Sequence, residues 1–199
     1  MISGQPRHEQ LARAALLTLI VLSVAATGSA TADRLDGKLE AAIHLKVLDY
    51  DRTLKKRAGG SLVIAIVTIP GHHASETTGK IMDSSFREVG RGLKVRGMSV
   101  TVVSLAYQAD TLAQDLAASN AAIVYVTPGL DRELAKIHAA AQQRHAATLC
   151  GDRAQVRNGV AIGVYLRGRS AAITINLRTA RSLGMDLDSA VFAVAEVIK

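Results

Sequence analysis

The stretch SLVIAIVTIP, Ser61 to Pro70, decides the fold. Val63, Ile64, Ile66 and Val67 form a β-branched run with no polar alternation. A strand that is apolar on both faces is covered on both faces, and that is the signature of an interior strand in a parallel sheet. Pro70 and Gly71 end it. Before it, Leu35, Leu39, Ile43, Val47, Tyr50 and Leu54 recur at steps of three and four, which predicts one helix over 33–57. Arg34, Lys38, Lys46, Arg52 and Lys55 fall on its polar side, and Gly59-Gly60 closes it.

Beyond Pro70 the alternation continues. Residues 75–89 read as a helix with Ser75 as its cap and Ile81, Met82, Phe86 and Val89 turned inward. Strands are expected over 98–105, 121–128 and 146–151, with helices over 110–119 and 130–145 between them. GVAIGVYLRGRSAAITINL carries two β runs around Arg167-Gly168-Arg169, a hairpin pattern. DSAVFAVAEVIK, from Asp188 to Lys199, reads as a terminal helix. Strands alternating with helices imply parallel pairing with right-handed crossovers. The expected fold is a three-layer α/β sandwich with a mainly parallel central sheet, a C-terminal β-hairpin and a terminal helix. It occupies residues 33–199 as one domain.

Composition narrows the function classes. The 199 residues are 49% hydrophobic with 3 Pro, which excludes collagen-like and disordered chains. One Cys excludes an internal disulfide framework and a Cys-built zinc site. With 3% aromatic residues, a base-stacking nucleic-acid binder is not expected despite the net charge of +7. Arg7 and Arg13 precede an apolar run from Ala14 to Ala26, and small residues lead to Ala30-Thr31-Ala32. That is the plan of a cleavable secretory signal peptide over residues 1–32, with an uncleaved membrane anchor as the alternative, and it predicts a periplasmic protein without an integral membrane span after cleavage.

No catalytic motif emerges. The chain holds no G-x-S-x-G elbow, H-E-x-x-H or G-x-G-x-x-G. PGHHASETTGK, Pro70 to Lys80, lacks the first Gly of a phosphate-binding loop, since Ala74 stands there, and Ile81 replaces its Ser or Thr. His138 and His145 are two helical turns apart without a carboxylate or Cys at metal spacing. No metal, cofactor or enzymatic activity is expected. Ligand sites of open α/β sheets lie at the carboxyl ends of the strands. The candidate ligand or partner residues there are Thr68, His72, His73, Thr127, Asp152 and Arg153. Asp152 and Arg153 belong to a polar connection over 150–160. Cys150, at the end of an apolar strand, is expected to be buried.

The segment ITINLRTARSLGMDLDSAVFAVAEVI resembles the C-terminal signature of the YfiR-like proteins. Ile175, Asn176, Leu177, Ala180, Gly184 and Leu187 carry the likeness, with Gly159, Val160 and Ala161 at the start of the hairpin. The resemblance implies a periplasmic α/β domain without catalytic activity. Its named member represses an inner-membrane diguanylate cyclase, coupling envelope or redox stress to cyclic-di-GMP, exopolysaccharide and biofilm formation. An inner-membrane signalling protein is therefore the implied partner, and a homodimer is compatible with this reading. That member uses paired cysteines, whereas this chain has Cys150 alone. The alternative reading is a periplasmic small-molecule binding protein resembling one lobe of a transporter receptor. It would need polar groups converging on a cleft from 68–73, 127–129 and 150–153. A hydrolase would need Ser, His and an acid within about 3 Å of one another.

Overall fold

The computed structural model describes residues 34–199, and the signal-like segment 1–32 lies outside them. Helices α1 (Gly37–Asp49) and α2 (Leu54–Ala58) lead into β1 (Leu62–Thr68), which is buried on both faces up to Val67. Then follow α3 (His73–Gly92), β2 (Val100–Ala106), α4 (Leu112–Ala118), β3 (Ile123–Val126), a 3-10 turn (Asp131–Glu133), α5 (Leu134–Gln143) and β4 (Ala147–Cys150). The chain continues through α6 (Arg153–Arg157), β5 (Ile162–Arg167), β6 (Ser170–Asn176), α7 (Leu177–Ser182), α8 (Ser189–Phe192) and β7 (Glu196–Ile198).

Seven strands form one sheet in the order β2-β1-β3-β4-β5-β6-β7. Every neighbouring pair is parallel except β5 and β6, which form the antiparallel hairpin. The order reverses at β1, with β2 on one side and β3 on the other. Right-handed crossovers therefore put α3 on one face and α4 and α5 on the opposite face. The α/β class, the mainly parallel sheet and the hairpin are thus as the sequence predicts. Gly168 lies at the hairpin turn with φ +63°, a left-handed conformation that a Cβ would oppose.

Five local expectations need correction. The first helix is two, because the chain turns in at Asp51. The Tyr50 carbonyl accepts from the Asp188 amide at 2.9 Å, and the Arg52 amide donates to the Asp186 carbonyl at 2.8 Å. This short antiparallel bridge of Asp51 with Leu187 takes backbone groups that a continuous helix would need. The Asp51 carboxylate is fully buried. It accepts from the Thr53 amide (3.0 Å), the Thr53 hydroxyl (2.7 Å) and the Asp186 amide (3.1 Å), and pairs with Arg57. The periodicity over 33–57 is real, but long-range bonds override it.

The cap of α3 is His72, whose Nδ1 accepts from the Ser75 amide at 3.2 Å, while Ile81 faces outward at 41% exposure. The connection 150–160 holds a short helix, α6, capped by Asp152, whose carboxylate accepts from the Ala154 amide at 2.7 Å. The terminal helix is reduced to Ser189–Phe192, and Glu196–Ile198 is a strand instead. The edge of β6 offers unpaired backbone groups, and Val197 and Ile198 align with Ile175 and Asn176. β-Branched residues suit that pleated surface, so the partner strand outweighs the helical pattern.

Asp51→Ala removes the carboxylate while leaving the Arg57 guanidinium, the Thr53 hydroxyl and the Asp186 amide without it. Breaking a buried ion pair from one side costs about 3–5 kcal/mol. Urea unfolding is expected to show a loss of that size with an unchanged m-value; a loss within the scatter of ordinary surface substitutions would refute the role of Asp51 as the joint.

Candidate functional site

The crevice where the strand order reverses, between the carboxyl ends of β1 and β3, is closed by side chains. The Thr127 hydroxyl donates to the Val67 carbonyl at 2.7 Å, so the Ser75 hydroxyl, 2.6 Å away, donates to Thr127. Ser75 in turn accepts from the Ile69 amide at 2.8 Å. These bonds lock the start of α3 onto the two strands. His72 covers Gly129 so closely that a Cβ there would lie 2.9 Å from the imidazole ring. Thr68 packs against Gly79 of α3, where a Cβ would collide with its methyl group. His73 is exposed at the first position of α3.

A cavity of about 350 Å³ opens further along the same edge, over the ends of β3, β4 and β5. Of the six candidate residues, Asp152 and Arg153 line it and Thr68, His72, His73 and Thr127 do not. Thr127 touches the wall indirectly, since Gln155, which lines the cavity, donates from Nε2 to its carbonyl at 3.2 Å. The other polar lining groups are Arg34, Tyr125 and Tyr165, and the apolar wall includes Leu35, Pro128 and Leu166. The Tyr165 hydroxyl lies 2.8 Å from the Thr174 hydroxyl. Arg153 makes a two-point ion pair with Glu196 of β7, its Nε at 3.2 Å from the carboxylate. That contact raises the Arg153 pKa and lowers that of Glu196. Arg167 stands 3.9 Å from the same carboxylate.

Beneath the cavity lies a buried polar cluster that sequence reading did not single out. Glu40 and His44 of α1 are fully buried, as is Tyr125 of β3. The Tyr125 hydroxyl donates to Glu40. The Arg34 guanidinium donates to the Tyr125 oxygen at 3.1 Å and to Glu40 at 3.4 Å, and also bonds Thr78 of α3. Burial raises the pKa of Glu40, opposed by the Tyr125 hydrogen bond and the Arg34 charge. Burial, and then the neighbouring Glu40, raises that of Tyr125. Gly151 is required here by space: a Cβ would stand 2.8 Å from the Glu40 carboxylate and 3.1 Å from the Tyr125 oxygen.

His44 packs edge-on to Tyr125, with ring centroids 6.0 Å apart, and 6.3 Å from the Phe86 ring. Neither ring nitrogen has a hydrogen-bond partner. Nε2 is 3.9 Å from Glu40, beyond hydrogen-bond reach. Burial lowers its pKa to about 3, against a weaker pull from the Cys150 backbone that falls short of hydrogen-bond geometry. The signal for this cluster was present as Glu40 and His44, four residues apart on one helix. They lie beside the apolar stripe, and sequence alone does not show which of its flanks is covered.

Cys150 is buried, as expected, and burial raises its thiol pKa. His145 is exposed, and His138 Nε2 lies 3.4 Å from the Ser182 hydroxyl. Among the described residues no group of His, Cys, Asp and Glu could hold a metal ion.

The buried His44 gives a pH dependence. Its folded pKa, about 3, is below the unfolded value near 6.5, so the unfolded state binds the extra proton first and stability falls as pH drops below 6.5. Between pH 7 and pH 5 this one group removes about 2 kcal/mol. Glu40, with its raised pKa, acts in the opposite sense, adding stability as it gains a proton at low pH. A paired comparison isolates the histidine. His44→Leu, similar in volume and without a titrating group, is expected to lose about 2 kcal/mol less than the wild type over that interval in urea unfolding. Parallel pH curves for the two proteins would show that His44 ionises freely.

The fold is shared with solved proteins of low sequence identity. Similar structures include an ABC domain in complex with L-Trp from Streptococcus pneumonia, at TM-score 0.56 and 13% identity, covering 80% of this chain and 62% of that one. A conserved domain protein from Vibrio cholerae matches at TM-score 0.56 and 14% identity, over 80% and 60%. A substrate binding protein with adhesive properties from Clostridium difficile, in its ligand-free, open form, matches at TM-score 0.53 and 13% identity, over 77% and 59%. The chain thus spans less than two thirds of the length of each of these proteins, and the likeness is one of fold. No curated protein matches the sequence. The profile of the family described as YfiR/HmsC-like matches residues 37–196, nearly the whole of the described structure, and the chain belongs to that family.

Proposed function

We propose that the protein is a non-enzymatic periplasmic regulator that modulates an inner-membrane signalling protein by direct contact, in the service of cyclic-di-GMP control and biofilm formation. The observation that carries this reading is the family match over residues 37–196. The signal-like residues 1–32 agree with export. No helix of the described residues is long and apolar enough to cross a membrane, so contact with a membrane partner would be made by this α/β domain. A regulator of this kind needs surfaces rather than reacting groups.

The polar network and the joint at Asp51 suit that role, because they hold α1 to β3, to α3 and to the segment around Asp186 in one arrangement. A binding event on any of these elements would be felt by the others through packed contacts. The alternative, a small-molecule receptor resembling one lobe of a transporter protein, draws support from the cavity at the carboxyl edge of the sheet. Two of the similar structures are described as an L-Trp complex and as a substrate binding protein, at 13% identity each.

Deletion of the gene is expected to raise cellular cyclic-di-GMP and surface attachment, and restoration of the full chain to reverse both. Crosslinking in intact cells is expected to capture an inner-membrane protein on the periplasmic side, and the same experiment reads any homodimer. Unchanged cyclic-di-GMP together with no membrane protein captured would overturn the regulatory reading.

A further inference from the structure

The cavity over β3, β4 and β5 has the composition of a binding site. Its volume, about 350 Å³, is within the range of small-ligand pockets, roughly 300–1,000 Å³. Cation and hydrocarbon meet on its wall. Arg34 and Arg153 are charged, and Leu35, Pro128 and Leu166 are apolar.

Three carboxylates lie near it: Asp152 on its wall, Glu196 in the ion pair with Arg153, and Glu40 beneath. Asp152 accepts from the Ala154 amide at the start of α6. Glu196 is held by Arg153 and approached by Arg167. Glu40 lies below, fully buried, and receives the Tyr125 hydroxyl. The Arg34 guanidinium is fixed in place by Thr78, Tyr125 and Glu40, yet a third of its side-chain surface remains exposed. A guanidinium held by its neighbours with one face open loses little freedom when it takes an anion.

We propose that this cavity binds a small organic carboxylate, with its anionic group on Arg34 and Arg153 and its hydrocarbon body against Leu35, Leu166 and Pro128. The carboxylate gains charge-assisted hydrogen bonds from planar donors, and the body loses water against the apolar wall. The inference is separate from the partner reading, because its test uses the isolated protein.

Protein purified from cells expressing the full chain is titrated with hexanoate, hexanamide and hexylamine, three probes of one shape and different charge, followed by calorimetry and by backbone amide shifts. Hexanoate is expected to bind with a dissociation constant of about 1 mM or tighter and to shift the Gln155 and Leu166 amides. Hexanamide and hexylamine are expected to bind at least about tenfold more weakly. Leu166→Trp, which fills the cavity from partly exposed β5 without touching the Arg34 network, is expected to abolish hexanoate binding while the thermal unfolding midpoint stays in place. Arg34→Gln is expected to weaken hexanoate about tenfold and to leave the amide affinity unchanged. Equal affinity for the three probes, tighter binding of the amine, no binding of hexanoate, or full binding by folded Leu166→Trp would each overturn the proposal.

Discussion

The buried carboxylate of Glu40 is the interaction on which the site and its surroundings depend. A carboxylate removed from water costs several kcal/mol unless its oxygens are satisfied. Here they are satisfied by Tyr125 from the sheet and Arg34 from the segment before α1. That requirement fixes α1 over the end of β3. It excludes a side chain at residue 151, and it turns a nominally surface arginine into the wall of a cavity. The same crowding leaves His44 dry and unpaired between two aromatic rings. One ionisable group thus sets the position of a helix, the need for a glycine and the electrostatics of the charged hollow over β3 to β5.

The second organising fact is that the reversal point of the sheet is closed. In open α/β folds the divergence of two crossovers leaves a crevice at that point. Here Ser75, Thr127 and Ile69 bridge it by hydrogen bonds, and His72 covers Gly129. Thr68, His72 and Thr127 therefore serve to join α3 to β1 and β3. The accessible hollow is displaced along the edge to β3, β4 and β5, where α6 supplies Arg153 and Gln155. This is why only Asp152 and Arg153 of the residues picked from sequence lie in the cavity. Strand ends can be read from sequence, but which gap between them is filled depends on side chains that meet from distant segments.

Legibility follows the range of the interactions involved. Strand β1, the alternation after it and the hairpin were readable because apolar runs and turn residues are local signals. The periodicity over 33–57 hides the break at Asp51, where the competing bonds come from Asp186 and Asp188, more than 130 residues away. The terminal segment is ambiguous in sequence because its β-branched residues satisfy two patterns, and the edge of β6 selects the strand. Glu40 and His44 carry no sign of burial in the sequence, and Arg34 reads there as a polar-side residue, because burial of a polar residue depends on what packs over it. In a helix whose stripe is bordered by charges on both sides, sequence gives no sign of which border faces the sheet.

By itself the sequence determined the α/β class, the parallel sheet and the C-terminal pattern shared with the YfiR/HmsC-like family. These rest on the periods of strand and helix and on turn chemistry, which act within a few residues. Only the tertiary structure decided that Asp51 is a joint, that the last segment is a seventh strand and that the open cavity lies over β3 to β5. Those outcomes rest on hydrogen bonds and ion pairs between residues far apart in the chain. Their strength comes from being withdrawn from water, a condition that does not exist until the chain has folded.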